Sequence, residues 1–347
     1  MRVKFITLGC KTNQAESNKI ASDLEVHGFQ ITDGECDVCV INTCAVTGVA
    51  ERKSRHEVSK IARKYPQAKI IVVGCGIQKE SGQFERLPNV VKTFGANKDE
   101  IVGYIVKELS DSSLCEQVTT SRENSSHKLT NVRTKTYIKI QDGCDNFCSF
   151  CIVPHLRGRS KCRTVEEIIA EIKEVNPKEI VLTGINLTAY RDGVKDLGDL
   201  CVVVNRLGIS FEISSLYINI ITPEFIEKLR ACRNFKPNFH LSLQSGSDEI
   251  LKKMNRHYTS SQFEKAVKLI RDNWVDTRIS VDVIVGFPTE SDKDFQETYD
   301  FCEKMRFDHI HIFPYSIRDG TTAASMPQVH SNIIKERASK LKKLTKI

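Results

Sequence analysis

Three cysteines in one short segment, GCDNFCSFCIVPHLRGR, have the spacing of a cluster site. Cys144, Cys148 and Cys151 form a C-x3-C-x2-C set in the loop after a strand-like run. Three closely spaced thiolates can hold three irons of a cubane cluster, because soft sulfur ligands suit iron–sulfur chemistry. The fourth iron then lacks a protein ligand and stays open. A zinc knuckle is the plainer alternative, but zinc sites close with four ligands, usually as two paired sets. A second set is dispersed: Cys10 in TLGCKTNQAES, Cys44 in INTCAVT and Cys75 in VVGCGIQ. Any one alone reads as a buried core thiol. Three at equivalent strand-to-helix turns, each preceded by Gly or Thr, should converge at one edge of a sheet.

The elements that must position these cysteines alternate. Val3–Thr7, Asp37–Thr43 and Lys69–Gly74 read as strands, with helical patterns over Gln14–His27 and Val46–Lys64. Strands alternating with helices imply a parallel sheet covered on both faces. A Ser-, Thr-, Glu- and Asn-rich stretch reads as a linker, after which the alternation resumes. Strands are expected at Tyr137–Gln141, Glu179–Thr183, Phe211–Ser214, Phe239–Leu243, Val281–Val285 and His309–Phe313. Helices are expected between them, including Thr164–Val175, Pro223–Cys232, Gln262–Asn273 and Asp292–Met305. About six β-α units are too few for a closed eight-fold barrel, so an open partial barrel fits better. The chain ends in a Lys-rich amphipathic helix from Asn332.

Composition narrows the classes. The 347 residues are 40% hydrophobic and 27% charged, the balance of a globular protein with ample core. A net charge of +7 is compatible with a polyanionic partner without proving one. No stretch approaches the roughly 18 apolar residues of a membrane span, and the start, MRVKFITLGCKTNQ, lacks a secretory signal. Thirteen cysteines, an odd number in a long chain without that signal, point to a reducing compartment rather than a disulfide framework. Cys36, Cys39, Cys201, Cys232 and Cys302 read as core thiols.

With Phe150 before its last cysteine and a strand before its first, the C-x3-C-x2-C loop resembles that of radical S-adenosylmethionine (SAM) enzymes. The wider set of segments resembles the methylthiotransferase family within that superfamily. LGCKTNQ, INTCAVT and GCDNFCSFCIVP match its early motifs; LQSGSDEILKKMNRHYT and DVIVGFPTESDKDFQET match its later barrel motifs. HIFPYSIRDGTTAASM is most similar to the branch that modifies N6-threonylcarbamoyladenosine in tRNA.

The resemblance implies an α/β chain with four parts. Residues 1–110 would form an N-terminal, flavodoxin-like parallel-sheet domain, 111–130 a linker, 131–330 a partial (β/α)6 radical SAM barrel, and 331–347 a basic helix. The family usually closes with a small β-barrel RNA-binding module, and none is expected within residues 331–347, which read as the basic helix. Two other departures are GCGIQ, where an aromatic more often follows the cysteine, and Cys162, which reads as a spare thiol rather than a fourth ligand.

The implied cofactors are SAM and two 4Fe–4S clusters, one on Cys144, Cys148 and Cys151, the other on Cys10, Cys44 and Cys75. Phe150, Gly184, Asn186, Gln244 and Gly286 are candidate SAM contacts; Thr183 and Ile185 belong to the same turn as Gly184, and Ser245 either faces the pocket or caps the next helix. Arg157 and Arg159 could meet the SAM carboxylate or RNA phosphates, and the basic run Glu51–Lys64 and the final helix could track an anticodon arm.

The implied activity replaces the C2 hydrogen of N6-threonylcarbamoyladenosine, next to the anticodon, with a methylthio group. One SAM would methylate a sulfur at the N-terminal cluster, and a second, reduced at the other cluster, would supply the hydrogen-abstracting radical. An inert aromatic C–H suits radical chemistry, since no side-chain base removes that proton at neutral pH. The expected partners are tRNA and an electron donor such as a flavodoxin or ferredoxin, in the cytoplasm, with no membrane and no DNA. Methylthiolation of isopentenyladenosine tRNA or of a ribosomal-protein aspartate is the nearest alternative. A non-catalytic iron–sulfur, RNA-binding relative is the alternative of another class.

Overall fold

The computed structural model describes residues 1–95, 98, 100–109 and 135–345. The chain divides into two compact units, Met1–Tyr137 and Ile138–Ile347. The linker expected over 111–130 lies outside the described residues.

The first unit is a five-stranded parallel sheet. Its strands are β1 (Arg2–Thr7), β2 (Gln30–Ile31), β3 (Val38–Thr43), β4 (Lys69–Gly74) and β5 (Val90–Phe94), in the spatial order β2-β1-β3-β4-β5. That is the flavodoxin-like order expected. The central strand β3, VCVINT, is buried at every position, as a strand covered on both faces must be. Val38 and Val40 pack on one face with Ile20 and Leu24 of α1 (Lys11–Val26); Cys39 and Ile41 pack on the other with Val58 and Ile61 of α2 (Gly48–Lys64). The helix α3 (Cys75–Phe84) starts directly after β4, and α4 (Glu100–Tyr104) follows β5. The sequence reading missed β5: its residues VVKTF form an edge strand with two exposed positions and no clean alternation.

The second unit is an open barrel. Its six main strands are β6 (Thr136–Lys139), β9 (Glu179–Thr183), β12 (Ser210–Ile213), β13 (Asn238–Gln244), β14 (Arg278–Val285) and β15 (His309–Pro314); Thr136 and Tyr137 precede the unit boundary. Two ribbons account for the intervening numbers: β7 (Gln141–Asp142) with β8 (Lys161–Cys162), and β10 (Arg191–Asp192) with β11 (Lys195–Asp196). β6, β9 and β12 form one sheet and β13, β14 and β15 another; parallel bridges Phe211–Phe235 and Leu216–Leu241 join them. Alternate residues such as Ile180, Leu182, Leu241, Val281 and Val283 enter one large core with the outer helices. Those helices are α6 (Val165–Val175), α7 (Leu197–Asn205), α8 (Pro223–Arg230), α10 (Ser260–Asn273) and α11 (Asp292–Met305), with the shorter α5 (Val153–Arg157) and α9 (Asp248–Lys253) in loops. Thr164, Asp196, Thr259 and Ser291 open four of them with reciprocal capping boxes, which is why these helices start where they do. The expected core thiols Cys36, Cys39, Cys201, Cys232 and Cys302 are all buried.

The C-terminal basic helix, α12 (Ser331–Lys342), is part of this barrel rather than a free arm. Leu341 enters the core, and Arg337 is buried with its Nη1 2.6 Å from Glu290 Oε2 and its Nη2 2.7 Å from Asp292 Oδ1. Burial pushes the Glu290 carboxyl up, while the Gly286 N–H and the Arg337 guanidinium favour its charged form. Removing one partner of a buried pair strands the other charge. Arg337→Met should therefore destabilise the chain by about 3–5 kcal/mol in denaturant titration, and adding Glu290→Gln should restore much of it. A loss within about 0.5 kcal/mol, the range of ordinary surface substitutions, would show that α12 is not clamped this way.

Candidate metal centres

The loop between β7 and β8 carries the closely spaced cysteines. Gly143 opens it at φ +68°, and a Cβ there would lie 2.1 Å from the Arg159 carbonyl oxygen, so only glycine lets the two ends of the loop touch. The Cys144 N–H closes the loop on Gly158 O at 3.1 Å. Cys144 and Cys148 are buried and Cys151 is partly so. The loop is pinned to the segment after α9: Ser149 N–H and Oγ donate to Met254 O and Lys253 O, and Asn255 Nδ2 donates to the carbonyls of Asn146 and Phe147.

The sulfurs are surrounded as anions would be. Asn146 N–H points at Cys144 Sγ from 3.5 Å, and Arg256 Nη1 donates to Cys148 Sγ at 3.4 Å. Arg256 is buried, stacked 4.0 Å from the Tyr217 ring centre, with its other nitrogens on Tyr258 Oη and Ser242 O at 3.0 Å each. That makes Arg256 a buried, charge-assisted donor to the Cys148 sulfur. Burial pushes the free Cys144 thiol up and Cys151 up to about 12, so metal must displace protons there. Among the described residues no three Cys, His, Asp or Glu side chains converge on one ion. A cubane spreads its three sulfurs over three irons and needs no such point.

The adjoining turn after β9 offers a polar group without a partner. Gln141 Oε1 accepts from the N–H groups of Ile185 and Asn186 at 3.0 and 2.7 Å, while its Nε2 donates to Asp142 O and Gly143 O. Gln141 thereby fixes the Thr183–Asn186 turn to the cysteine loop. Gly184 is needed at this approach, since a Cβ would lie 2.9 Å from Gln141 O. Asn186 is buried, yet its Oδ1 has no hydrogen-bond partner. An unmet buried acceptor costs about 1–3 kcal/mol, and an incoming ammonium would satisfy it. The residues present therefore fit SAM beside a cluster.

Other candidates separate. Phe150 is partly buried against Ile250, Met254, Ile284 and Phe287. Gln244 ends β13 at φ +68°, whereas Ser245 is fully buried on Thr298 Oγ1 at 3.0 Å and serves the packing of α11. Gly286 has φ +71°, but a Cβ there would lie 2.3 Å from Ile334 Cγ1, so the close approach it permits on that side is by α12. Arg157 is committed to Asp142 through bonds of 2.9 and 3.1 Å with its side chain only 2% exposed, which removes it from the phosphate- or carboxylate-binding candidates. Arg159 is 73% exposed and lies over the Phe147 ring at 5.5 Å. Cys162 lies in β8, within 3.4 Å of the Arg191 N–H, outside the C-x3-C-x2-C loop. Sequence reading missed the roles of Gln141, Asn255 and Arg256; the last two lie inside the quoted segment LQSGSDEILKKMNRHYT, but these roles depend on contacts 44, 109 and 108 positions away.

In the first unit, Cys10, Cys44 and Cys75 occupy the turns after the adjacent strands β1, β3 and β4. Register aligns Thr7 with Asn42 and Thr43 with Gly74, which brings the three turns level. Gly9, at φ +98°, sits so close to the second turn that a Cβ would lie 2.9 Å from Cys44 Sγ. Cys44 and Cys75 are buried and Cys10 is exposed. Three thiols from three level turns at one sheet edge suit a cluster with one face open.

Residues 138–302 match the Radical SAM superfamily, and residues 2–95 match a family described as uncharacterized protein family UPF0004. A threonylcarbamoyladenosine tRNA methylthiotransferase of Chlamydia pneumoniae is 38% identical over 99% of this chain and 82% of that protein. Its Bacillus subtilis namesake is 35% identical over 98% and 79%. A tRNA-2-methylthio-N(6)-dimethylallyladenosine synthase of Staphylococcus aureus is 34% identical over 97% and 70%. The radical SAM methyltransferase TsrM of Kitasatospora setae shares the fold, with a TM-score of 0.64 at 13% identity over 93% of this chain and 77% of that one. Family membership brings with it SAM and a 4Fe–4S cluster, and no helix among the described residues is long and apolar enough to cross a membrane. The chain belongs to the radical SAM tRNA methylthiotransferases.

Proposed function

We propose that the chain methylthiolates C2 of N6-threonylcarbamoyladenosine next to the tRNA anticodon. The observation that carries this substrate is the shared name of the similar relatives at 31–38% identity, each aligned over nearly this whole chain. Two separate three-cysteine sets support a reaction that needs two clusters. Cys144, Cys148 and Cys151 hold the radical SAM cluster, with Arg256 donating to the Cys148 sulfur. Cys10, Cys44 and Cys75 hold the second. When bound, these groups supply a 5′-deoxyadenosyl radical at one site and a methylated sulfur at the other. Asn186 Oδ1 accepts from the SAM ammonium, Gly184 lets Gln141 lock that turn, and Phe150 and Gln244 are further SAM contacts. Gly286 seats Ile334. A cytoplasmic flavodoxin or ferredoxin supplies electrons.

Mass spectrometry of nucleosides from cells lacking the gene tests the substrate. The methylthio form of N6-threonylcarbamoyladenosine should disappear and return on complementation. Loss of the methylthio form of isopentenyladenosine instead, with the first nucleoside intact, would assign the chain to the other tRNA branch.

A further inference from the structure

A buried charged network lies beneath all three cysteine turns of the first unit. Lys98, 8% exposed, enters from the segment after β5 and pairs with the buried carboxylate of Glu16, 82 positions away on α1. Its Nζ also donates to Asn42 Oδ1 at 3.0 Å. Asn42, on the central strand β3, donates from Nδ2 to Asn13 O at 2.9 Å and to Ser17 Oγ at 3.0 Å. Asn13 Nδ2 in turn donates to Leu8 O at 2.9 Å and Thr43 O at 3.0 Å, bridging the residue two before Cys10 and the residue before Cys44. The third turn rests on the same side chain, because a Cβ on Gly74, the residue before Cys75, would lie 2.7 Å from Asn42 Oδ1. Buried polar groups are retained at high cost unless every member is satisfied. Here Asn42 has all three of its side-chain bonds made, and Lys98 supplies the one to its oxygen.

We propose that Lys98 is a positioning residue for the Cys10–Cys44–Cys75 site, acting through Asn42 and Asn13 to fix the relative height of the three turns. The inference rests on reading those cysteines as cluster ligands. The network touches each turn one or two residues before its cysteine, and Asn13 Oδ1 also accepts from Cys10 Sγ at 3.8 Å, so it shapes the cradle from below and reaches one of the sulfurs. The Glu16 carboxylate neutralises the buried ammonium.

The test uses the full chain carrying Cys144→Ala, Cys148→Ala and Cys151→Ala, so that any cluster belongs to the first unit. This parent, reconstituted anaerobically with iron and sulfide, should hold about four irons per chain. Adding Lys98→Met should alter the electron paramagnetic resonance signal of the reduced cluster and speed its loss to a chelator by about tenfold or more. Lys98→Arg should restore both. The pair Lys98→Met with Glu16→Gln leaves no stranded charge and should melt like the parent, yet keep the altered signal because Asn42 Oδ1 still lacks its donor. A parental signal and chelator rate in that pair would overturn the proposal. A parent that takes up no iron, while the natural chain takes up four, would instead overturn the reading of the cysteines as ligands.

Discussion

Replacing Cys144, Cys148 and Cys151 with Ala should reduce reductive SAM cleavage to background, a loss of more than about 10⁴-fold in 5′-deoxyadenosine formation. Enzymes accelerate such steps by at least about 10⁶-fold, and here the acceleration depends wholly on delivering an electron to the bound sulfonium. Arg256 shows why the three act as one unit. Its guanidinium, buried on Tyr217 and Tyr258, is aimed at Cys148 Sγ, while Cys144 is held by Asn146 N–H and by the loop closure at Gly143. Any single replacement leaves two thiols and a buried cation without their joint ligand, so singles should fall nearly as far as the triple. Anaerobic turnover with dithionite, followed by chromatography of 5′-deoxyadenosine, checks this. Cleavage above a few per cent of wild type in the triple variant would mean that another site reduces SAM.

Replacing Cys10, Cys44 and Cys75 should have a different outcome of similar size. Formation of 5′-deoxyadenosine should remain measurable, while methylthio transfer to RNA stops. The iron content should fall from about eight per chain to about four. The separation is expected because these thiols sit in the turns after β1, β3 and β4 of one unit, and the C-x3-C-x2-C loop sits after β7 of the other, each with its own hydrogen-bonded cradle. Wild-type methylthiolation by this variant would remove the second cluster from the reaction.

Much of this architecture was legible in the sequence. The alternation of VKFIT, DVCVINT and KIIVVG with helical runs announced a parallel sheet and put Cys10, Cys44 and Cys75 in the turns after its strands. The helices capped by Thr164 and Ser291 start within one residue of where the sequence places them, while the one capped by Thr259 starts at Ser260, two residues before the expected Gln262. What stayed hidden depends on distance in sequence. Arg256 lies 108 positions from Cys148 and Lys98 lies 82 from Glu16, and no local periodicity marks either contact. Arg157 reads as an anion binder from its motif, yet its partner is the neighbouring Asp142 across the loop base. Gly286 reads as a ligand-facing glycine, and the structure adds that it seats Ile334, from a helix nearly 50 residues later, which no local pattern announces. The final basic run reads as an amphipathic helix that could track RNA because its lysines dominate; the packing of Ile334, Arg337 and Leu341 against the barrel depends on partners far away in sequence.

The most direct measurement of the account is in vitro methylthiolation. Reconstituted chain, SAM and a reductant are incubated with an anticodon stem-loop RNA carrying N6-threonylcarbamoyladenosine, and its nucleosides are analysed by mass spectrometry. The product should be heavier than the starting nucleoside by one SCH2 unit, with the addition on the adenine ring. Robust 5′-deoxyadenosine formation with this RNA left unmodified, while an isopentenyladenosine stem-loop is converted, would contradict it.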